Sequence, residues 1–392
     1  MKEVVNALLF DENDNILIVK RNSKTGYGML SIPGGKIERG ETQRDAVIRE
    51  IKEETDLEIK ALQFFDEVHY KNEDLKIYLY LAHAQGDIKL DKRELSDYYY
   101  MKVDKIKSNR VFSPDKDAIT KLKKQLIDYI KVKNQLQQLT GKKYILFTDR
   151  GNTSIKLSLN SAKQKNKNKA FIQDQGGWLT YPQFAKKLKF EVIRLKTDYG
   201  IVSLSGLDVL DSSFTLLINS MPGYIAEQKN MKKIQEICIK KRSFLINDVS
   251  GSIGSEIAKY GDIIIGSFGR WKPVNVKYGG FIATDNLSDY LFMMNTNTRK
   301  IDMFYSELNQ KLANLTKRRK FFYQKNFKIK KELINQKIIH RKNKGFNVIV
   351  KDNKKKIIEY CKKNNYEYTL CPRYIRVLED AVSIEVKRLE VS

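Results

Sequence analysis

Four glutamates in the stretch GKIERGETQRDAVIREIKEETDL, residues 35–57, carry the clearest chemistry of the chain. Glu41 precedes a segment with helical patterning, and Glu50, Glu53 and Glu54 fall inside it at i, i+3 and i+4. That spacing puts three carboxylates on one face of an α-helix. Left alone they repel one another, and a divalent cation removes the cost. An all-oxygen donor set suits Mg²⁺ or Mn²⁺ better than zinc. Val47, Ile48 and Ile51 are expected on the opposite face, against a core.

A second set of reactive residues lies beyond position 140. Asp248 ends the strand-like run SFLIND, and Lys272 follows DIIIGSF in GSFGRWKPVNVKYGG. Gly151, Asn152 and Thr153 stand between a strand and a helix start, where free N–H groups favour a phosphate. If the strands lie side by side, their ends bring an amine, a carboxylate and an anion cradle together. Those are the three things pyridoxal phosphate requires. Lys277 is the alternative amine, Asp248 could instead cap a helix before VSGSIG, and Trp178 in QGGWLTY is either core or ring partner. Arg373, in CPRYIRV, is read either as a ligand for a substrate carboxylate or as a structural ion-pair partner.

The elements that must position these groups follow from patterning. VVNALLF and ILIVKR read as strands ahead of the glutamate helix. Residues 117–139 repeat apolar positions at helical spacing through Ile119, Leu122, Leu126, Ile130 and Val132, and close a first domain. From YILFTD onward short apolar strands alternate with helices, which indicates an α/β domain with a largely parallel sheet. SAKQKNKNK, residues 161–169, reads as a polar loop. The tail, FNVIV, KKIIEYCKKN, YEYTLCPRYIRV and AVSIEVKRL, reads as a small α+β subdomain. The expected division is 1–135, 141–295 and 296–392.

Composition sets bounds on all this. A chain of 392 residues suggests two or three domains, and 41% hydrophobic content suits a globular fold. No run reaches the ~18 apolar residues that span a bilayer. The sequence enters a strand directly, with no signal-peptide pattern. Three cysteines without CxxC spacing indicate a reducing, cytoplasmic setting and no zinc site. The net charge of +26 is uneven: residues 1–130 hold 23 basic and 24 acidic side chains, and the excess lies beyond them. Such a surface attracts nucleic acid or anionic substrates, although no nucleic-acid-binding motif accompanies it.

The first stretch resembles the Nudix box, GX5EX7REUXEEXGU, through Gly35, Glu41, Arg49, Glu50, Ile51, Glu53, Glu54 and Leu57. Asp56 stands where that family has glycine; it removes no metal ligand and tolerates the left-handed turn that ends the helix. The resemblance implies an α/β/α sandwich and Mg-dependent hydrolysis of a nucleoside diphosphate linked to another group. Glu50, Glu53 and Glu54, with Glu41, would be the metal ligands, and one of the four the general base. Arg49 would orient a carboxylate.

The region from 141 to 390 resembles fold-type I pyridoxal-phosphate enzymes, most closely the DegT/DnrJ/EryC1/StrS aminotransferases that act on nucleotide-linked keto sugars. The matching residues are Asp248, Gly261–Asp262, Ser267–Phe268, Lys272 and Tyr278–Gly279–Gly280. By this resemblance Lys272 is the Schiff-base lysine and Asp248 the partner of the pyridinium nitrogen. Thr153, Ser154 and Ser267 cradle the phosphate, and Trp178 stacks on the ring. Lysine at 272 also separates the chain from the dehydratase branch, which has histidine there. A short interval from Asp248 to Lys272 and the SGSIG segment depart from the sugar aminotransferases. The resemblance further implies a homodimer, an amino donor and a keto acceptor. A nucleotide-sensing role for the first domain, or RNA binding by the basic second half, are the alternative readings.

Overall fold

The computed structural model describes residues 1–70, 74–112, 116–211, 213–301 and 304–390, and falls into two units. One comprises Met1–Lys133 with Ser288–Ser306, the other Asn134–Leu287 with Glu307–Ser392. This differs from the contiguous division expected from sequence, because residues 288–306 belong with the N-terminal unit.

In the first unit the chain runs through β1 (Lys2–Leu9), β2 (Ile16–Arg21), β3 (Leu30–Ser31), β4 (Gly34–Lys36), α1 (Gln43–Thr55), β5 (Glu58–Tyr70), β6 (Leu75–Gln85) and β7 (Leu95–Met101). Helix α2 (Lys116–Thr140) follows. One sheet has the order β4-β1-β6-β5, with β1 and β6 parallel; a smaller antiparallel sheet has the order β3-β2-β7. Alternating apolar positions of β1 and β6 (Val5, Ala7, Leu9, Tyr78 and Tyr80) meet Ala46, Val47 and Ile51 of α1 in one core. Ile48, expected to join them, is 43% exposed. The apolar stripe of α1 is narrower than the pattern implied, and Ala46 takes the third place.

Leu126 and Val132 of α2 are buried as expected, while Leu122 and Ile130 are half-buried; the side chain of Ile119 lies outside the described residues.

The second unit is built on a seven-stranded sheet. Its strands are β8 (Tyr144–Thr148), β9 (Lys169–Gln173), β10 (Glu191–Leu195), β11 (Thr215–Asn219), β12 (Phe244–Asp248), β13 (Ile263–Ser267) and β14 (Gly280–Thr284). The order is β10-β9-β11-β12-β13-β14-β8, parallel from β10 to β13, with β14 antiparallel to both its neighbours. Strands β11 and β12 are buried at every position, as a parallel sheet covered on both faces requires. The intervening helices are α3 (Gly151–Gln164), α4 (Thr180–Lys187), α5 (Leu204–Asp208) and α6 (Met231–Lys240). Helix α3 runs on to Gln164, into the stretch expected to be a loop, because Ser161 and Ala162 are buried against the unit.

Helices α7 (Leu287–Thr296), α8 (Tyr305–Ala313) and α9 (Leu315–Glu332) lead to β15 (Val348–Val350), α10 (Lys354–Lys363), β16 (Tyr368–Cys371) and β17 (Ala381–Ile384). The last three strands form an antiparallel sheet, β15-β17-β16. Phe322 and Ile329 of α9 and Ile357 and Cys361 of α10 pack with its apolar residues. This is the strand–helix–strand–strand subdomain expected from sequence.

Candidate active sites

Helix α1 is pinned at both ends, and this fixes where its glutamates point. Thr42 caps the start, accepting from Asp45 N at 3.2 Å. Asp56 ends it in the left-handed region (φ 60°, ψ 6°), with its N–H on Lys52 O at 3.0 Å. The aspartate thus does the work of the missing glycine. Glu54 is buried and accepts from Gly34 N at 2.8 Å. Glu50 lies so close to β4 that a Cβ on Gly35 would stand 2.3 Å from its carboxyl carbon.

Arg49 ties this face together. It donates to Glu41 at 2.9 and 3.0 Å, to Glu50 at 2.9 Å, to Glu53 at 3.0 Å and to Lys36 O at 2.9 Å. It thereby fixes the orientation of the Glu41 and Glu50 carboxylates. The Arg49 hydrogen bonds hold Glu41 below the usual carboxylate range. Glu54 and Glu50 behave oppositely: burial, then the Glu50 and Glu94 charges, push Glu54 up to about 8. Burial likewise raises Glu50, with Glu53 and Glu94 adding repulsion.

Glu94 was not legible in the sequence. It sits forty positions from Glu54, on the turn before β7, and no motif marks it. The fold brings it to the same cleft, of about 1230 Å³, that Glu50, Glu53, Glu54, Arg21, Lys36 and Arg93 line. With Arg49 engaged as described, no three acidic, His or Cys side chains are grouped around one point among the described residues. Glu53, whose side chain is 60% exposed, has the freedom to turn inward. The all-carboxylate donor set, with ionisation suppressed at two members, matches a hard divalent cation.

In the second unit the ends of β8, β12 and β13 carry the expected residues. Asp248 is buried at the end of β12, accepting from Tyr181 Oη at 2.5 Å and from Ser250 N at 2.9 Å. Burial, then the Asp248 charge, raise the Tyr181 phenol well above its ordinary value, so it stays a donor. Ser250 Oγ accepts from Ser267 N at 3.0 Å, linking β12 to β13. Lys272, in the loop after β13, donates to Tyr224 Oη, and its Nζ stands 5.2 Å from the Trp178 ring. Trp178 Nε1 donates to Asn152 Oδ1 at 2.8 Å. Lysine, carboxylate, tryptophan and the α3 N-terminus therefore belong to one site.

The cradle differs from expectation in two members, Ser154 and Thr153. Ser154 is fully buried, and its hydroxyl pairs with that of Thr148 at 2.8 Å. Thr153 donates its hydroxyl to Asp149, and its N–H goes back to Arg150 O at 3.0 Å. The N–H groups of Gly151 and Asn152 make no backbone hydrogen bond among the described residues. A Cβ on Gly151 would stand 2.8 Å from Ser267 Cβ, so glycine lets the helix start approach β13. These N–H groups and Ser267 lie together at the start of α3. Lys277 lies in the same loop and is exposed, and no side-chain contact ties it to Tyr224 or Trp178 among the described residues. Arg373 is exposed on the loop after β16. The buried arginine of that loop is Arg376, paired with Glu385 through two bonds of 2.8 Å.

Comparison with known proteins bears on both units. Residues 2–122 match the NUDIX domain, and residues 316–392 match the MJ1341 family C-terminal domain. Over 117 residues the chain is 29% identical to the NAD-capped RNA hydrolase NudC of Vibrio atlanticus (strain LGP32), covering 30% of this chain and 41% of that protein. It is 43% identical over 56 residues to the ADP-ribose pyrophosphatase of Methanocaldococcus jannaschii (14% and 33% covered). It is 33% identical over 79 residues to the 8-oxo-dGTP diphosphatase of Escherichia coli (20% and 61% covered). The chain thus spans less than two thirds of the length of each of these relatives.

Among solved structures, Helicobacter pylori PseC, an aminotransferase involved in the biosynthesis of pseudoaminic acid, aligns with TM-score 0.53 at 13% identity, over 66% of this chain and 85% of that one. A DegT DnrJ EryC1 StrS aminotransferase from Brucella abortus aligns with TM-score 0.52 at 12% identity, over 66% and 85%. The N-terminal part is a Nudix domain, and the remainder has the fold of the DegT/DnrJ/EryC1/StrS aminotransferases. No helix among the described residues is long and apolar enough to cross a membrane.

Proposed function

We propose a two-site cytoplasmic enzyme. Its N-terminal unit hydrolyses the diphosphate of a nucleoside diphosphate linked to a second group. The observation that carries this reading is that Glu50, Glu53, Glu54 and Glu94 line one cleft with cationic walls, where burial raises Glu50 and Glu54 above the ordinary carboxylate range. Glu50, Glu53 and Glu54, with Glu41 beside them, would hold Mg²⁺ or Mn²⁺. When bound, the metal neutralises diphosphate oxygens and acidifies a water. Arg49 keeps Glu41 and Glu50 aimed. Glu94 joins Glu41, Glu53 and Glu54 as a carboxylate able to take the proton of the attacking water. Two of the relatives are named as a pyrophosphatase and a diphosphatase, which supports the reaction class.

The C-terminal unit, in this reading, transfers an amino group from an amino donor to a nucleotide-linked keto sugar with pyridoxal phosphate, and works as a homodimer. The residues fit the cofactor through an amine, a buried carboxylate and a helix N-terminus at the same sheet edge. When bound, the cofactor ring draws electrons from the carbon bearing the amino nitrogen. Lys272 supplies the amine that holds the cofactor aldehyde, and once displaced it carries a proton at Nζ between carbon centres. Asp248, fixed by Tyr181 and Ser250, holds the proton on the ring nitrogen. Gly151, Asn152 and Ser267 receive the phosphate, and Trp178 packs on the ring.

Two experiments test the two halves. Glu53→Gln and Glu54→Gln should each lower Mg²⁺-dependent hydrolysis of ADP-ribose by more than about 100-fold, in the range of lost metal-site groups; retained turnover refutes the first assignment. Borohydride reduction after incubation with pyridoxal phosphate should fix the label on Lys272. A protein that remains colourless, or a Lys272→Ala variant still labelled covalently, refutes the second.

A further inference from the structure

Beside Lys272 lies a group of charges for which the reading above has no use. Glu385, fully buried just past β17, is surrounded by Arg376, Lys387 and Arg388. A carboxylate offers about four acceptor positions, and all four are taken. Arg376 donates to both oxygens at 2.8 Å, Ser383 Oγ donates to Oε1 at 2.9 Å, and Asn347 Nδ2 to Oε2 at 3.2 Å. Lys387 and Arg388 are left outside hydrogen-bonding distance, at 3.7 and 3.6 Å. Arg388 finds a second carboxylate, Glu367, at 2.6 Å. Lys387 does not.

Lys387 is 4% exposed, and among the described residues its ammonium makes no hydrogen bond. It rests on the face of Tyr224, 4.0 Å from the ring centre. Tyr224 is the residue whose hydroxyl receives Lys272, and Lys272 Nζ is 5.1 Å from the same ring centre. Arg376 stands 5.7 Å from it. The carboxylate nearest the Lys387 ammonium among the described residues is Glu385, at 3.7 Å, and a buried ammonium without hydrogen bonds is costly. Burial, and then Arg376, draw the Lys387 amine well below the ordinary lysine range. An arriving anion would favour its charged form.

We propose that Lys387 is an anion-recognition residue of the Lys272 site, supplied by the C-terminal subdomain, and that it takes a phosphate or carboxylate oxygen of the molecule bound there. The inference rests on the reading of Lys272 as the cofactor lysine. It adds a ligand-binding role for a segment, residues 316–392, that would otherwise only complete the fold.

The test uses the full chain and Lys387→Met, which keeps the buried stem and removes the charge, with Lys387→Arg as the rescuing variant. Affinities are measured for pyridoxal phosphate against pyridoxal, and for succinate against its neutral diamide. A charge-assisted hydrogen bond predicts a loss of about tenfold or more. Weaker pyridoxal phosphate binding in Lys387→Met with pyridoxal unchanged assigns the residue to the cofactor phosphate. Weaker succinate binding with the diamide unchanged assigns it to a substrate carboxylate. Lys387→Arg should recover most of either loss. Affinities unchanged for both anions, in a variant with the parent's melting temperature, overturn the proposal. Failure of the parent itself to take pyridoxal phosphate onto Lys272 would sink the cofactor reading alone, since the succinate arm still reports on Lys387 without it.

Discussion

Glu385→Gln removes the one carboxylate that holds Arg376, Lys387 and Arg388 together, so its cost can be worked out from the structure. Burial alone would raise the Glu385 carboxyl, but the Arg376 charge and hydrogen bonds, then Lys387 and Arg388, overrule it and hold it at about 2. The drop from the ordinary 4.5 to about 2 corresponds to roughly 3 kcal/mol of stability at neutral pH. Breaking a buried ion pair by removing one partner costs about 3–5 kcal/mol, a second and independent route to the same size. Because the folded value is depressed, the contribution is complete above about 4.5 and is lost as pH falls towards 2.

Guanidinium unfolding followed by tryptophan fluorescence suits the measurement, since the only two tryptophans, Trp178 and Trp271, both belong to the second unit. The variant should be about 3 kcal/mol less stable at pH 7, and the gap should narrow below about pH 4.5. Adding Lys387→Met to Glu385→Gln should restore about 1 kcal/mol or more, because one uncompensated cation is gone. A single variant within about 0.5 kcal/mol of the parent at pH 7 would refute the claim that this carboxylate organises the cluster.

Other outcomes follow from the first unit and from the thiols. Glu54 is raised to about 8, first by burial and then by Glu50 and Glu94, so the metal-free folded state holds a proton that the unfolded state releases near 4.5. The sign is therefore a loss of stability as pH rises from about 4.5 to 8, and saturating Mg²⁺ should flatten that slope in thermal melts; a slope indifferent to metal would count against the site. Gly35→Ala should weaken Mg²⁺ activation at least tenfold, because its Cβ would displace the Glu50 carboxylate; unchanged metal dependence would show that Glu50 can move aside. Cys238, Cys361 and Cys371 are buried, and burial pushes the first two up to about 12 and about 11. A chromogenic disulfide reagent should titrate none of them until the protein is unfolded.

The placement of residues along one helix and at strand ends was legible in the sequence. Glu50, Glu53 and Glu54 had to share a face, and Asp56 had to accept the left-handed turn. Asp248 and the loop bearing Lys272 fall at one sheet edge once β12 and β13 are neighbours, because parallel strands deliver their C-terminal ends there. What escaped was fixed by packing between distant segments. Ile48 stays exposed while Ala46, on the other flank of the stripe, is buried, and Ser154 turns inward to Thr148 and Thr153 to Asp149. Glu94, Tyr224 and Lys387 have no local pattern to mark them. Each gains meaning only from the side chain it is brought against.

The return of residues 288–306 to the first unit has a consequence for how the gene can be divided. Asn295, encoded far downstream, accepts from Leu62 N at 3.2 Å and donates to Lys60 O at 2.8 Å, both in β5. Tyr305 stacks on Phe65 at 6.0 Å and meets Tyr129 edge-on at 5.3 Å. A fragment ending near residue 135 would therefore leave part of β5 without its hydrogen-bond partner and an aromatic cluster open to water. The hydrolase half is not a detachable cassette: the reading frame of the other half writes its last wall. Recombination that exchanged one catalytic unit while keeping the other would have to carry this short internal segment with it, or replace it, before the first unit could fold.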